Sequence, residues 1–207
     1  MKYMASIPDK FFDLVIADPP YGIDIGHGLG SGKKNCKMHY GWQLDAPSED
    51  FFNELFRVSK EQIIWGGNYF HLPLCDNWIV WDKMNYNLSF GEGELAWCSI
   101  HRKLRIFKHC STKVDGKSKI HPTQKPIALY AWILRTYGGG MSRIFDPMMG
   151  SQSSRIAAYK MGFDFWGCEL DKEYFDRGNE RFERECHGII KTSDGQEIKQ
   201  LSIFDLC

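Results

Sequence analysis

The chain has 207 residues, 43% hydrophobic, 25% charged and 14% aromatic, which is enough for one sizeable core and short for two. Lys plus Arg and Asp plus Glu number 26 each, so the total charge announces no nucleic-acid partner. No apolar run approaches the ~20 residues that cross a bilayer, and the first residues lack a signal-peptide pattern. Seven scattered cysteines without a C-x-x-C pair read as reduced thiols, against a disulfide framework or any structural zinc. These features predict a cytoplasmic protein with no metal and no membrane partner.

The first predicted strand, Phe12–Ala17, ends in Asp18, Pro19, Pro20, Tyr21. Open α/β sheets bind ligands beyond the carboxyl ends of their strands, so a site is expected there. The prolines fix the backbone and remove two N–H donors. A carboxylate, carbonyl oxygens and an aromatic ring remain, an inventory suited to an amino group on a flat ring. An ordinary Asp-Pro turn is the alternative. Residues 22–41 follow, rich in glycine and without apolar period, and read as a mobile loop carrying Lys33 and Lys34. Gly26 to Gly32 before Lys33 do not make a phosphate-binding loop. The pattern G-x-x-x-x-G-K-[ST] fails at His27 and at Lys34.

A helix is expected over 48–58 and strands over 62–65, 78–81 and 95–99. From His101 to Lys125 the bases Arg102, Lys103, Arg105, Lys108, Lys113, Lys117, Lys119 and Lys125 face one acid, Asp115. Such a cluster is either a solvated loop face or a neutraliser of phosphates. His121, Pro122, Thr123, Gln124, Lys125, Pro126 then precede a helix over 126–137, and a lysine and a hydroxyl near a helix start can hold a carboxylate. A turn with capping residues accounts for the same pattern.

Beyond a strand over 143–145, Asp146, Pro147, Met148, Met149, Gly150, Ser151 open a helix over 151–161 whose free N–H groups can hold an anion. A strand over 163–169 ends in Glu169, about 20 residues after Asp146. That placement is expected of an acid that binds the two ribose hydroxyls of a nucleoside cofactor. Ser151 as a plain cap and Glu169 as a solvated acid remain the alternatives. A helix over 172–185 and a hairpin over 188–203, turning at Asp194-Gly195, complete the chain. Alternating strands and helices predict one α/β domain with a mostly parallel sheet covered on both faces.

Asp-Pro-Pro-Tyr, then His-Pro-Thr-Gln-Lys-Pro, then Asp-Pro-Met-Met-Gly-Ser-Gln, in this order, resemble the β-class DNA amino-methyltransferases. The match runs from residue 12 to about 182, and 63–68, 78–83 and 94–97 are similar as well. The resemblance implies a circularly permuted Rossmann-like fold of seven strands, one antiparallel, and S-adenosylmethionine as cofactor. Its cofactor residues would be Ala17, Asp18, His121, Thr123, Lys125, Asp146, Pro147, Met148, Gly150, Ser151, Gln152, Ser153, Glu169 and Leu170. It implies direct transfer to adenine N6 of a flipped-out base, with Asp18, Pro19, Pro20 and Tyr21 at the reacting amine. Cytosine N4 or an RNA amino group, or a catalytically silent DNA-binding relative, are the competing readings. DNA would meet Lys33, Lys34, Arg102, Lys103, Lys113, Lys117 and Lys119. A second copy of the chain and a cognate restriction enzyme are the further partners implied, in a bacterium, phage or mobile element. Two departures stand out: Met148 replaces the family's phenylalanine, and Gln152 places a side chain where its second glycine lies close to the cofactor. The variable region, about 99–120, is short.

Overall fold

The computed structural model describes residues 1–22, 46–86, 91–110, 119–192 and 194–199. They form two compact units, Met1–Ser111 and Thr112–Cys207.

In the first unit a short helix α1 (Lys2–Ala5) precedes β1 (Phe12–Ala17), followed by α2 (Glu49–Val58), β2 (Ser59–Trp65), β3 (Asn77–Asp82), β4 (Gly93–Cys98) and β5 (Arg105–Lys108). Within the unit the strands lie in the order β5-β3-β4-β2-β1. β1 runs parallel to β2 and β3 parallel to β5, whereas β4 opposes both of its neighbours. Leu14, Val15, Ile16 and Ala17 of β1 are all buried, as are Ile63, Ile64 and Trp65 of β2. Burial of successive residues on both faces is why these strands read as continuous apolar runs rather than alternating ones. α2 buries Phe51, Phe52, Leu55 and Val58, the one face that a 3.6-residue period permits. Phe56 meets Trp97 of β4 edge-on at 5.9 Å. Arg57 ties the amino-terminal segment down by donating to the Met4 and Ile7 carbonyls and to Asp9.

The second unit comprises α3 (Ile127–Tyr137), β6 (Arg143–Asp146), α4 (Ser153–Lys160), β7 (Asp164–Gly167), α5 (Lys172–Phe182), a π turn (Glu183–His187), and β8 (Ile189–Lys191) with β9 (Glu197–Lys199). β6 and β7 are parallel, from Arg143 opposite Asp164 to Asp146 opposite Gly167. Small residues Ser153, Ser154, Ala157 and Ala158 line the buried side of α4, which packs on α3.

Most predicted elements hold to within a few residues. α4 starts at Ser153 rather than 151, because Gln152 takes a left-handed backbone (φ +60°) that no helix continues through. α5 stops at Phe182 where the chain loosens into the π turn. β8 and β9 pair antiparallel around Gly195 at φ +84°, so the hairpin is present over 189–199, and 200–203 lie outside the described residues. β5 was not foreseen. The predicted 22–41 loop, with Lys33 and Lys34, lies outside the described residues apart from Gly22, as do Lys113 and Lys117.

Candidate active site

In the first unit, β1 delivers Asp18 and Tyr21 to the carboxyl end of its sheet. The Tyr21 hydroxyl donates to Asp18 Oδ1 at 2.9 Å and lies 3.5 Å from Glu94 Oε2. Glu94 Oε1 is 2.5 Å from Lys83 Nζ, and both side chains are largely withdrawn from solvent. Lys83 emerges from β3 beside Trp81, whose ring its ammonium overlies at 5.3 Å. A carboxylate anchors that turn: Asp82 accepts the Tyr86 hydroxyl at 2.6 Å and the Met84 N–H at 2.9 Å, which hold its pKa below the usual carboxylate range. The β3–β4 register sets Trp81 opposite Glu94, so the pair meets across 11 residues of sequence.

The Tyr21 ring is fixed as well. Tyr69 stacks on it with centroids 5.3 Å apart and planes at 18°, and Phe70 meets it edge-on at 6.2 Å. Gly66, at φ +66°, gives it room: a Cβ there would stand 2.2 Å from the Tyr21 ring. Only glycine satisfies both the backbone and the ring. Pro19 is buried and Pro20 half-buried. The end of β1 therefore offers acceptors and ring faces, and neither proline adds a backbone donor.

In the second unit, Asp146 closes the loop between β6 and α4. Its Oδ1 accepts the Met148 N–H at 2.9 Å and its Oδ2 the Ser154 hydroxyl at 2.5 Å, and only 1% of the residue is exposed. Here it organises the loop. The Met149 N–H donates to the Cys168 carbonyl and the Cys168 N–H to that of Asp146, joining the loop to the end of β7. Glu169 follows, accepting the Gly150 N–H at 2.7 Å and the Asp171 N–H at 2.9 Å. A carboxylate offers about four acceptor sites, so these bonds orient Glu169 and leave capacity for a vicinal diol. Beside it, Leu170 is fully exposed, an aliphatic face suited to a flat ring. Pro147 and Met148 are half-buried, while Ser151 and Ser153 are buried.

The His121 turn is tied to this loop, because Ser153 Oγ donates to the Lys125 carbonyl at 2.7 Å. His121 lies edge-on to Tyr174 of α5 at 4.4 Å, with the exposed Thr123 hydroxyl 3.1 Å from its Nδ1. Burial, reinforced by the Lys125 charge, pushes the imidazole down to about 4, so it is neutral near pH 7. Lys125 itself is 3% exposed.

Gln152 turns its side chain away from the loop. Its Nε2 donates to the Phe175 carbonyl at 3.1 Å and Asn179 Oδ1 at 3.3 Å, and its Oε1 accepts from Arg155 at 2.7 Å. Gly178 makes that room, since a Cβ there would lie 2.5 Å from Gln152 Nε2. Arg181, 1% exposed, supports the loop from α5 by donating to the Ser151 carbonyl and to Ser153 Oγ. Gly178 and Arg181 were not anticipated from sequence, and Lys83 and Glu94 only as the bounds of stretches similar to the family, without a role. Of the expected phosphate contacts, Arg102, Lys103 and Lys119 are exposed, the first two just before β5.

A family model for DNA methylases of the N6/N4 type matches residues 64–180. The chain belongs to this family. Type II methyltransferase M2.MboI of Moraxella bovis is 28% identical over 162 residues, covering 78% of this chain and 55% of the relative. The chain thus spans about half the length of that protein. Type II methyltransferase M2.DpnII of Streptococcus pneumoniae is 24% identical, with 89% and 87% covered. Among solved structures, TTHA0409 of Thermus thermophilus, described as a DNA modification methylase, aligns with a TM-score of 0.57 at 18% identity, covering 90% of this chain and 93% of its own. This likeness shows the fold class, α/β with mostly parallel strands and helices, as the sequence implied. Among the described residues no helix is long and apolar enough to cross a membrane.

Proposed function

We propose that this chain, as a single methyltransferase domain, transfers a methyl group from S-adenosylmethionine to the N6 amine of a flipped-out adenine in DNA. The observation that carries the reading is the end of β1, where Asp18, already accepting a hydroxyl, stands beside two prolines and a fixed aromatic ring. The named relatives support it: both are Type II methyltransferases, and TTHA0409 has also been solved with S-adenosyl-L-methionine (TM-score 0.53).

The second unit fits that cofactor. Glu169 keeps acceptor capacity for ribose hydroxyls, Leu170 offers an apolar face, and the His121–Lys125 turn supplies Thr123 toward the methionine end. Bound there, the sulfonium supplies an electrophilic methyl. The amine is a poor nucleophile because its lone pair is delocalised into the ring. Asp18 and the Pro19 carbonyl accept its hydrogens, draw the nitrogen toward tetrahedral geometry and align the lone pair for attack. Tyr21 holds the base by its face. Aspartate at the first motif position, where cytosine-N4 enzymes usually carry serine, favours adenine. The reading extends to DNA as partner, to a cognate restriction enzyme and to a bacterial or mobile-element cytoplasm.

Incubation with mixed DNA and labelled cofactor, followed by nucleoside analysis, tests it. N6-methyladenine is the expected product. Methylcytosine would overturn the substrate, and a folded protein that binds DNA yet transfers nothing would overturn the activity.

A further inference from the structure

The Asp-Pro-Pro-Tyr motif accounts for Asp18 and Tyr21 and leaves without a role the pair beside the Tyr21 hydroxyl, Lys83 and Glu94, which bound two further stretches similar to the family. That hydroxyl has one proton to donate. It gives it to Asp18 Oδ1 at 2.9 Å, so an amine hydrogen aimed at that oxygen meets an acceptor already engaged, while Glu94 Oε2 stands at 3.5 Å. Glu94 is held by Lys83 at 2.5 Å, and Lys83 by its position over Trp81. The ring lies so close to Gly66 that no Cβ would fit there, and it is stacked on Tyr69.

We propose that Glu94 is a positioning residue that takes over the Tyr21 hydroxyl when a base amine occupies Asp18, with Lys83 holding Glu94 in place. This rests on the reading of Asp18 as the amine acceptor. The hydroxyl turns its proton from Asp18 Oδ1 to Glu94 Oε2, and no proton changes owner. Its effect is to hold the ring flat against the base during transfer, and to return the hydroxyl to Asp18 when the base leaves.

The test is a double-mutant cycle read by two methods. The first is fluorescence of DNA carrying 2-aminopurine next to the target adenine, which keeps its N6 amine, recorded without cofactor. The second is the division of the methylation effect between KM and kcat. Glu94→Ala should weaken base engagement about tenfold, the scale of a hydrogen bond to a charged acceptor, and Lys83→Met should follow it in the same direction. In a Tyr21→Phe background, which lacks the hydroxyl, both effects should shrink to less than about twofold. Equal losses in both backgrounds would overturn the proposal, since Glu94 would then act on DNA directly. Asp18→Ala, run alongside, separates the two levels. If it still methylates at the parent rate, the underlying reading fails, whatever the cycle shows. If it is inactive and the cycle is additive, only the role of Glu94 fails.

Discussion

At the scale of single residues, the carboxylates divide the labour. Asp146 turns one oxygen to its own loop and the other to the first turn of α4, whereas Glu169 is oriented by two backbone N–H groups and keeps room for further donors. Glu169→Ala should therefore weaken cofactor binding by about 1–3 kcal/mol, the range for hydrogen bonds to a charged group. Unchanged affinity in calorimetry would remove it from the site. His121 gives a prediction in pH. Its pKa falls from an ordinary 6.5 to about 4 on folding, so between these values the unfolded chain binds the additional proton. Stability is full above about pH 6.5 and declines as the pH falls toward 4, by at most about 1.4 kcal/mol for each pH unit crossed. A His121→Gln variant should show a flatter acid limb in thermal unfolding; an identical limb would assign the slope elsewhere.

At the scale of elements, the coupling of α4 to α5 runs through Gln152. Gly178→Ala brings two opposed effects. Alanine in a helix interior is worth about 1 kcal/mol over glycine, but the new Cβ would meet a buried amide and break the bonds to Phe175 and Asn179. Clashes of this kind cost about 1–3 kcal/mol, so the substitution should destabilise the parent. In a Gln152→Gly background the clash is gone and the same substitution should stabilise. Chemical unfolding of the four proteins checks this change of sign, and a stabilising effect in the parent would contradict it. This coupling also shows where sequence reading stops. Asp18, Glu169 and the β6–α4 loop were legible because each sits at a strand end, and a strand end is visible in apolar runs. The pairing of Lys83 with Glu94 was not, because it depends on the β3–β4 register. Arg181 reads as a surface residue of a polar helix until α5 is packed. β5 escaped because Arg105, Ile106 and Lys108 are exposed, so burial left no apolar run to notice.

At the scale of the whole molecule, a net charge of zero means that affinity for DNA must come from local asymmetry. Arg102 and Lys103, exposed before β5, are the described part of that asymmetry. Reversing both to glutamate should lower the slope of log affinity against log salt by about two, about one for each phosphate no longer neutralised. A slope equal to the parent's would place the phosphate-binding residues elsewhere. The salt slope reports on binding, whereas the proposed activity stands on the chemistry at the end of β1. Asp18→Ala removes a half-buried acceptor and no core volume, so the fold should survive. A single-turnover measurement of labelled methyl transfer to DNA, on an Asp18→Ala protein shown to be folded and to bind cofactor, is the most direct test. The expected result is no detectable transfer, against a clear signal of N6-methyladenine from the parent; transfer at near the parent rate would contradict the role of Asp18.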